Sequence, residues 1–226
     1  MKYNLKIALP IYKILYSIAF MFVMALIRPT VTASEVLTVI EPNICFLSVV
    51  FIADIYYCEF RENRINVFYL YPDKIKYKCV VERFFIDYVY LVVLDIIFYW
   101  IYILFQHNSL ISQEVLLAFG LNVTSCLMTI LFFATLSLTM VNSFQNMWAG
   151  VGITLAVWFV FNTAIKDYLP DIINIFAYKI DPGLHARITP TFYNRILYMI
   201  LGVGLLLVNY LLVLRSPMKS VKGVKK

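Results

Sequence analysis

Apolar and polar positions along this chain alternate on a long scale. Runs of mainly apolar residues, each near the roughly 17 to 25 needed to cross a bilayer as a helix, occupy 9–27, 37–57, 84–105, 114–141, 147–165 and 193–214. They predict an all-α, polytopic membrane protein with six transmembrane helices in a single domain, 1–226. The fourth run is overlong, which predicts tilt or projection beyond the lipid. Gln106 to Gln113 and Asn142 to Asn146 are short polar connections, so the third, fourth and fifth spans should be antiparallel neighbours. Lys166 to Asn194 is broken by Pro170, Pro182, Gly183 and Pro190. Its apolar stretch Ile172 to Tyr178 is too short to span, so an interfacial or re-entrant piece is expected there.

One segment breaks the apolar pattern sharply. Residues 58–83, between the second and third spans, hold ten of the charged residues, interleaved with aromatics. Glu59 and Glu62 suit the start of a short helix running from Phe60 to Tyr71, and Pro72 stops it. Its charges gather in the first half and Val67, Phe68, Tyr69, Leu70 and Tyr71 in the second, which is a poor stripe for a membrane-surface helix. A helix with a charged end and an aromatic end fits insertion into a partner protein.

Composition agrees with the membrane class: 62% of residues are hydrophobic and 14% charged, against about 25% charged in soluble domains, and mean hydropathy is +0.83. The net charge of +6 does not point to nucleic acid, because the basic residues sit beside apolar runs. It points to orientation. With six spans, fourteen Lys and Arg fall on the side of the termini and of 58–83, and five (Arg28, Lys166, Lys179, Arg187, Arg195) on the other. The positive-inside rule then places both termini and 58–83 in the cytoplasm of a cell expected to carry the chain in its plasma membrane. Lys2, Lys6 and Val31-Thr32-Ala33 also imitate a cleavable signal peptide. The first run is longer than the usual signal core, however, and Arg28-Pro29 interrupts the approach to the cut.

Candidate chemistry is sparse. Phosphate-cradling glycine loops, H-E-x-x-H and G-x-S-x-G are all missing from the sequence. Cys45, Cys58, Cys79 and Cys126 form no CxxC pair, and His107 and His185 lie in different loops, so no metal site is expected. Asp95 falls about eleven residues into the third span, near the bilayer midplane, where an ionisable group is a candidate functional site. The competing reading is an Asp95 that is protonated or hydrogen-bonded to a neighbouring helix, for example to the hydroxyl-rich face of the fourth span (Thr124, Ser125, Thr129, Thr135, Thr139). Asp87 is expected to pair with Arg83 at i,i+4 spacing, and Asp54 and Glu41 to reach water near the ends of the second span. Gly150, Gly152, Gly202 and Gly204 mark close helix approaches, and Trp158, midway along the fifth span, is expected to face another helix.

The layout resembles the membrane subunit of a type-2 ATP-binding-cassette exporter. The residues that carry the resemblance are Glu59 and Glu62, the run Phe68-Tyr69-Leu70-Tyr71-Pro72, and Glu82-Arg83 opening the third span. The chain departs from the family in having Asn63-Arg64 where glycine often follows the acidic residue, and in having only eight residues before Leu9. The resemblance implies a coupling helix between the second and third spans, with polar contacts from Glu59, Arg61, Glu62 and Arg64 and aromatic anchors from Phe68, Tyr69 and Tyr71. Pro72 would set the angle of return to the third span. It also implies a separate nucleotide-binding ATPase chain that brings the ATP and Mg, and a second permease subunit, identical or related. The expected function is export of an amphipathic substrate, a peptide or lipid-linked molecule, by a chain that is not itself an enzyme. A non-transporting scaffold or sensor subunit, and an intramembrane enzyme using Asp95, remain open from the residues alone.

Overall fold

A computed structural model describes residues 2–30, 32–60, 70–106, 113–163, 168–181 and 187–214. Among these, the chain forms seven helices and one two-stranded hairpin. The helices are α1 (Lys2–Ala8), α2 (Ile11–Ile27), α3 (Glu35–Phe60), α4 (Asp73–Gln106), α5 (Gln113–Phe144), α6 (Met147–Asn162) and α7 (Phe192–Leu214). The strands, β1 (Tyr178–Asp181) and β2 (Arg187–Pro190), pair antiparallel between α6 and α7.

Local sequence sets the boundaries. Pro10 sits extended between α1 and α2, and Arg28 leaves the helical region before Pro29, as residues preceding proline tend to do. Glu35 opens α3 and accepts from the Thr32 backbone N–H at 3.3 Å, a side chain reaching back to an otherwise unpaired donor. At the α5–α6 turn, Gln145 takes the left-handed conformation. Asn146 then caps α6 by accepting from the N–H groups of Trp148 and Ala149.

Among the described residues, four helices are long and apolar enough to cross a membrane: Glu35–Ile55, Asp73–Phe105, Gln113–Phe144 and Phe192–Val213. Helices α2 and α6 are shorter apolar helices. The apolar window of α3 is 78% buried and that of α7 only 22%, so α3 sits at the centre of the bundle and α7 on its flank. Helix α5 lies along α3, where Ser137 donates to the Val49 carbonyl at 2.8 Å. Tyr77 near the start of α4 packs edge-on against Tyr210 near the end of α7, and Asn4 bonds to Glu82. The start of α1, the start of α4 and the end of α7 therefore share one end of the bundle, which we call the basal end. The hairpin occupies the other.

The structure amends the sequence reading in several places. The fold is not purely α, because among the described residues after α6 the chain forms turns and a hairpin. Ile175 and Phe176 are buried there, with Phe176 stacked on Phe133 of α5. Residues 73–83, assigned to the polar connection, belong to α4. At about 1.5 Å per residue this 34-residue helix is about 51 Å long and outreaches a hydrocarbon layer of about 30 Å. Charge alone had disguised it as a loop. Lys13, Lys76, Arg83 and Arg195 are buried, so they are internal rather than flanking charges. Setting these four aside leaves eleven basic residues against four, and the asymmetry stands.

Candidate functional site

The polar side chains inside this apolar bundle gather in clusters. At the hairpin end, Glu41 of α3 and Arg195 of α7 form a two-point ion pair, with Nε to Oε1 at 2.9 Å and a second guanidinium nitrogen to Oε2 at 2.7 Å. Neither residue is exposed at all. Two buried charges are tolerated only when their remaining donors and acceptors are satisfied, and here they are. Arg195 also donates to the carbonyls of Ala177 and Thr191, each at 3.1 Å. Tyr178 donates its hydroxyl to Glu41 Oε2 at 2.6 Å while its ring lies under the guanidinium. Burial first, and the Glu41 carboxylate second, push the Tyr178 phenol upward, so it stays a neutral donor. Asn194 bonds to the carbonyl of Asn174 and secures the turn before the hairpin. The expectation that Glu41 reaches water is wrong, because the hairpin folds over it.

At the basal end, Lys13 of α2 donates to Asp54 of α3 at 2.7 Å, to Asp87 of α4 at 3.4 Å and to the Phe51 carbonyl at 2.9 Å. Lys13 and Asp87 are buried, whereas the Asp54 side chain is 27% exposed and keeps contact with solvent. Asp87 Oδ1 has no hydrogen-bond partner among the described residues. The i,i+4 pair expected between Asp87 and Arg83 does not form. Arg83 turns instead to Asn4 Oδ1 and the Ile55 carbonyl, both at 3.2 Å. A lysine from another helix competes better for Asp87 because it points into the same dry interface.

Between the two ends lies Asp95, fully buried on α4. Asn122 of α5 donates to its Oδ1 at 2.9 Å, and the Cys126 thiol donates to Asn122 Oδ1 at 3.8 Å. Asp95 is thus bonded to a neighbouring helix, the one that carries the fourth span, through an amide rather than through that helix's hydroxyl face. Thr124, Thr129, Thr135 and Thr139 each bond to a carbonyl about one turn back on their own helix. A further amide pair joins α5 to α7: Asn142 donates to Asn209 Oδ1 at 2.9 Å, and Asn209 donates to Thr139 Oγ1 at 2.6 Å. Trp158 does face another helix, donating to the Pro42 carbonyl of α3 at 2.8 Å.

The first and second clusters share α3. Asp54 ties its basal half to α2, and through Lys13 to α4, while Glu41 ties its other half to α7 and the hairpin. Helix α3 is thus clamped near both ends. Sequence reading missed Lys13, Asn122 and Arg195 as site residues. Lys13 stands within the first apolar run and Asn122 within the fourth, and strongly polar groups in such runs are signals in their own right.

Of the residues expected to receive a partner ATPase, Glu59 lies in the last turn of α3 and Pro72 directly precedes α4. Tyr71 is half exposed beside it. Arg61, Glu62, Arg64, Phe68 and Tyr69 lie outside the described residues, as do His107 and His185. Among the described residues no group of three or more His, Cys, Asp or Glu is arranged to hold a metal. Cys45, Cys79 and Cys126 are free thiols. No family model, curated protein or solved structure matches the chain.

Proposed function

We propose that this chain is the permease subunit of an ATP-driven exporter of amphipathic molecules, a peptide or lipid-linked compound, in the plasma membrane. In this reading six helices cross the bilayer, both termini are cytoplasmic, and the segment after α3 receives a separate ATPase chain. Two permease subunits, identical or related, form the route. The observation that carries the reading is the double clamp on α3. Helices α3 and α4 flank the charged segment and are held together just beside it through Lys13, Asp54 and Asp87. A displacement delivered to that segment would move both helices as a unit, and α3 would carry it to the Glu41–Arg195 pair and the hairpin. Such linkage is what a chain without its own nucleotide site needs if it is to change shape on ATP hydrolysis elsewhere.

The test is purification of the tagged chain from its native membranes, followed by identification of a co-purifying ATPase. Phe68→Ala, Tyr71→Ala and Arg64→Ala are then compared for binding and for stimulated ATP hydrolysis. An aromatic anchor should cost about 2 kcal/mol or more of association. If all three variants bind and stimulate like the parent, or no ATPase accompanies the chain, the reading fails in favour of a scaffold or sensor subunit.

A further inference from the structure

We infer that the groove between α1 and α4 at the basal end is a binding site for a phospholipid with an anionic headgroup. This rests on the chain being a membrane protein and not on the exporter reading. The groove has a volume of about 570 Å³, with Leu5 and Leu9 on one wall, Phe85, Val89 and Val93 on the other, and Glu82 at its rim. Its lining is almost wholly apolar, and Phe85 and Val89 are each 55% exposed. These residues turn a channel of hydrocarbon toward the lipid rather than toward the core.

Charge identifies the occupant. Residues 93, 89, 85 and 82 follow one another at helical spacing down one face of α4, and the same stripe continues to Lys78 and Lys74. Both lysines are exposed, as is Lys6 beside Leu5 on the opposite wall. Glu82 is already engaged: Asn4 donates to its Oε2 at 2.7 Å, and Lys78 stands 4.0 Å from Oε1. Asp73, beside Lys74, is paired with Lys76 at 3.0 Å, so four lysines (Lys6, Lys74, Lys76 and Lys78) against Asp73 and Glu82 leave this end of the groove positive. An acyl chain laid along Phe85, Val89 and Val93 would bring its phosphate to these ammonium groups. Basic residues at the membrane surface attract anionic headgroups in this way. Asn4 holds α1 in place as the second wall through its bonds to Glu82 and Arg83.

The full-length chain, purified in a mild detergent with equal amounts of phosphatidylglycerol and phosphatidylcholine of matched acyl chains, is to be analysed by native mass spectrometry. The parent should retain phosphatidylglycerol preferentially. Lys74→Gln and Lys78→Gln should each lower that preference about fivefold, whereas Lys179→Gln on the hairpin should leave it unchanged. Val89→Trp, which fills the slot, should expel the retained lipid with no change in the thermal melting of the chain. Equal retention of the two lipids by the parent, or an unchanged preference in the Lys74→Gln/Lys78→Gln double variant, overturns the assignment. So does a Val89→Trp chain that keeps its lipid but loses a dimer, which would make a second copy the occupant.

Discussion

Arg195 illustrates how one side chain can hold several elements together. It reaches Glu41 from 154 positions away in sequence and also bonds to Ala177 beside the hairpin. Truncating it as Arg195→Met leaves a buried carboxylate without a cation, which costs about 3 to 5 kcal/mol. The double variant Glu41→Leu/Arg195→Met removes both charges and should recover much of that loss. Thermal melting in detergent distinguishes the outcomes, and a single variant as mild as Lys179→Met would mean the pair contributes little. Pairings of this kind were not legible in the sequence. Asp95 stood out there because a lone carboxyl in an apolar run is conspicuous, but its partner could not be chosen by proximity along the chain. The same reasoning assigned Asp87 to Arg83, a neighbour on its own helix, when the partner is Lys13, 74 positions away.

At the scale of whole elements, hydrophobic periodicity performed well because lipid imposes a length on every crossing helix. The runs at 37–57 and 193–214 correspond to α3 and α7 within about three residues. What periodicity missed was the structure that charge or brevity conceals: the first turns of α4, and two strands of four residues each. The glycines flagged for close packing divide cleanly. A Cβ on Gly150 would lie 2.5 Å from the Val141 backbone nitrogen and one on Gly202 3.3 Å from Phe132 Cα, whereas Gly152 and Gly204 face open space. Gly150→Ala should therefore force the α5–α6 hairpin apart and destabilise it by about 1 to 3 kcal/mol. Gly152→Ala should be neutral or stabilising by up to about 1 kcal/mol, through helix propensity. Equal melting temperatures for the two variants would contradict the close approach of α6 to α5.

For the molecule as a whole, the proposed six-crossing arrangement and the distribution of basic residues make orientation a testable matter. A reporter fused after Lys226 is expected in the cytoplasm, and one inserted beside Asp181 in the hairpin is expected outside. An external C-terminal reporter would sink the six-crossing arrangement. The double clamp on α3 also has a consequence for the order in which the chain is made. Glu41 is synthesised 154 residues before Arg195, so the bundle must wait through that interval with a carboxylate in its interior and no counter-charge. Until α7 arrives, α3 is a poorly settled guest of the membrane. Quality-control proteases should therefore recognise a chain halted before Arg195 far more readily than one halted just after α7, making the arrival of α7 the step that commits the protein to survival.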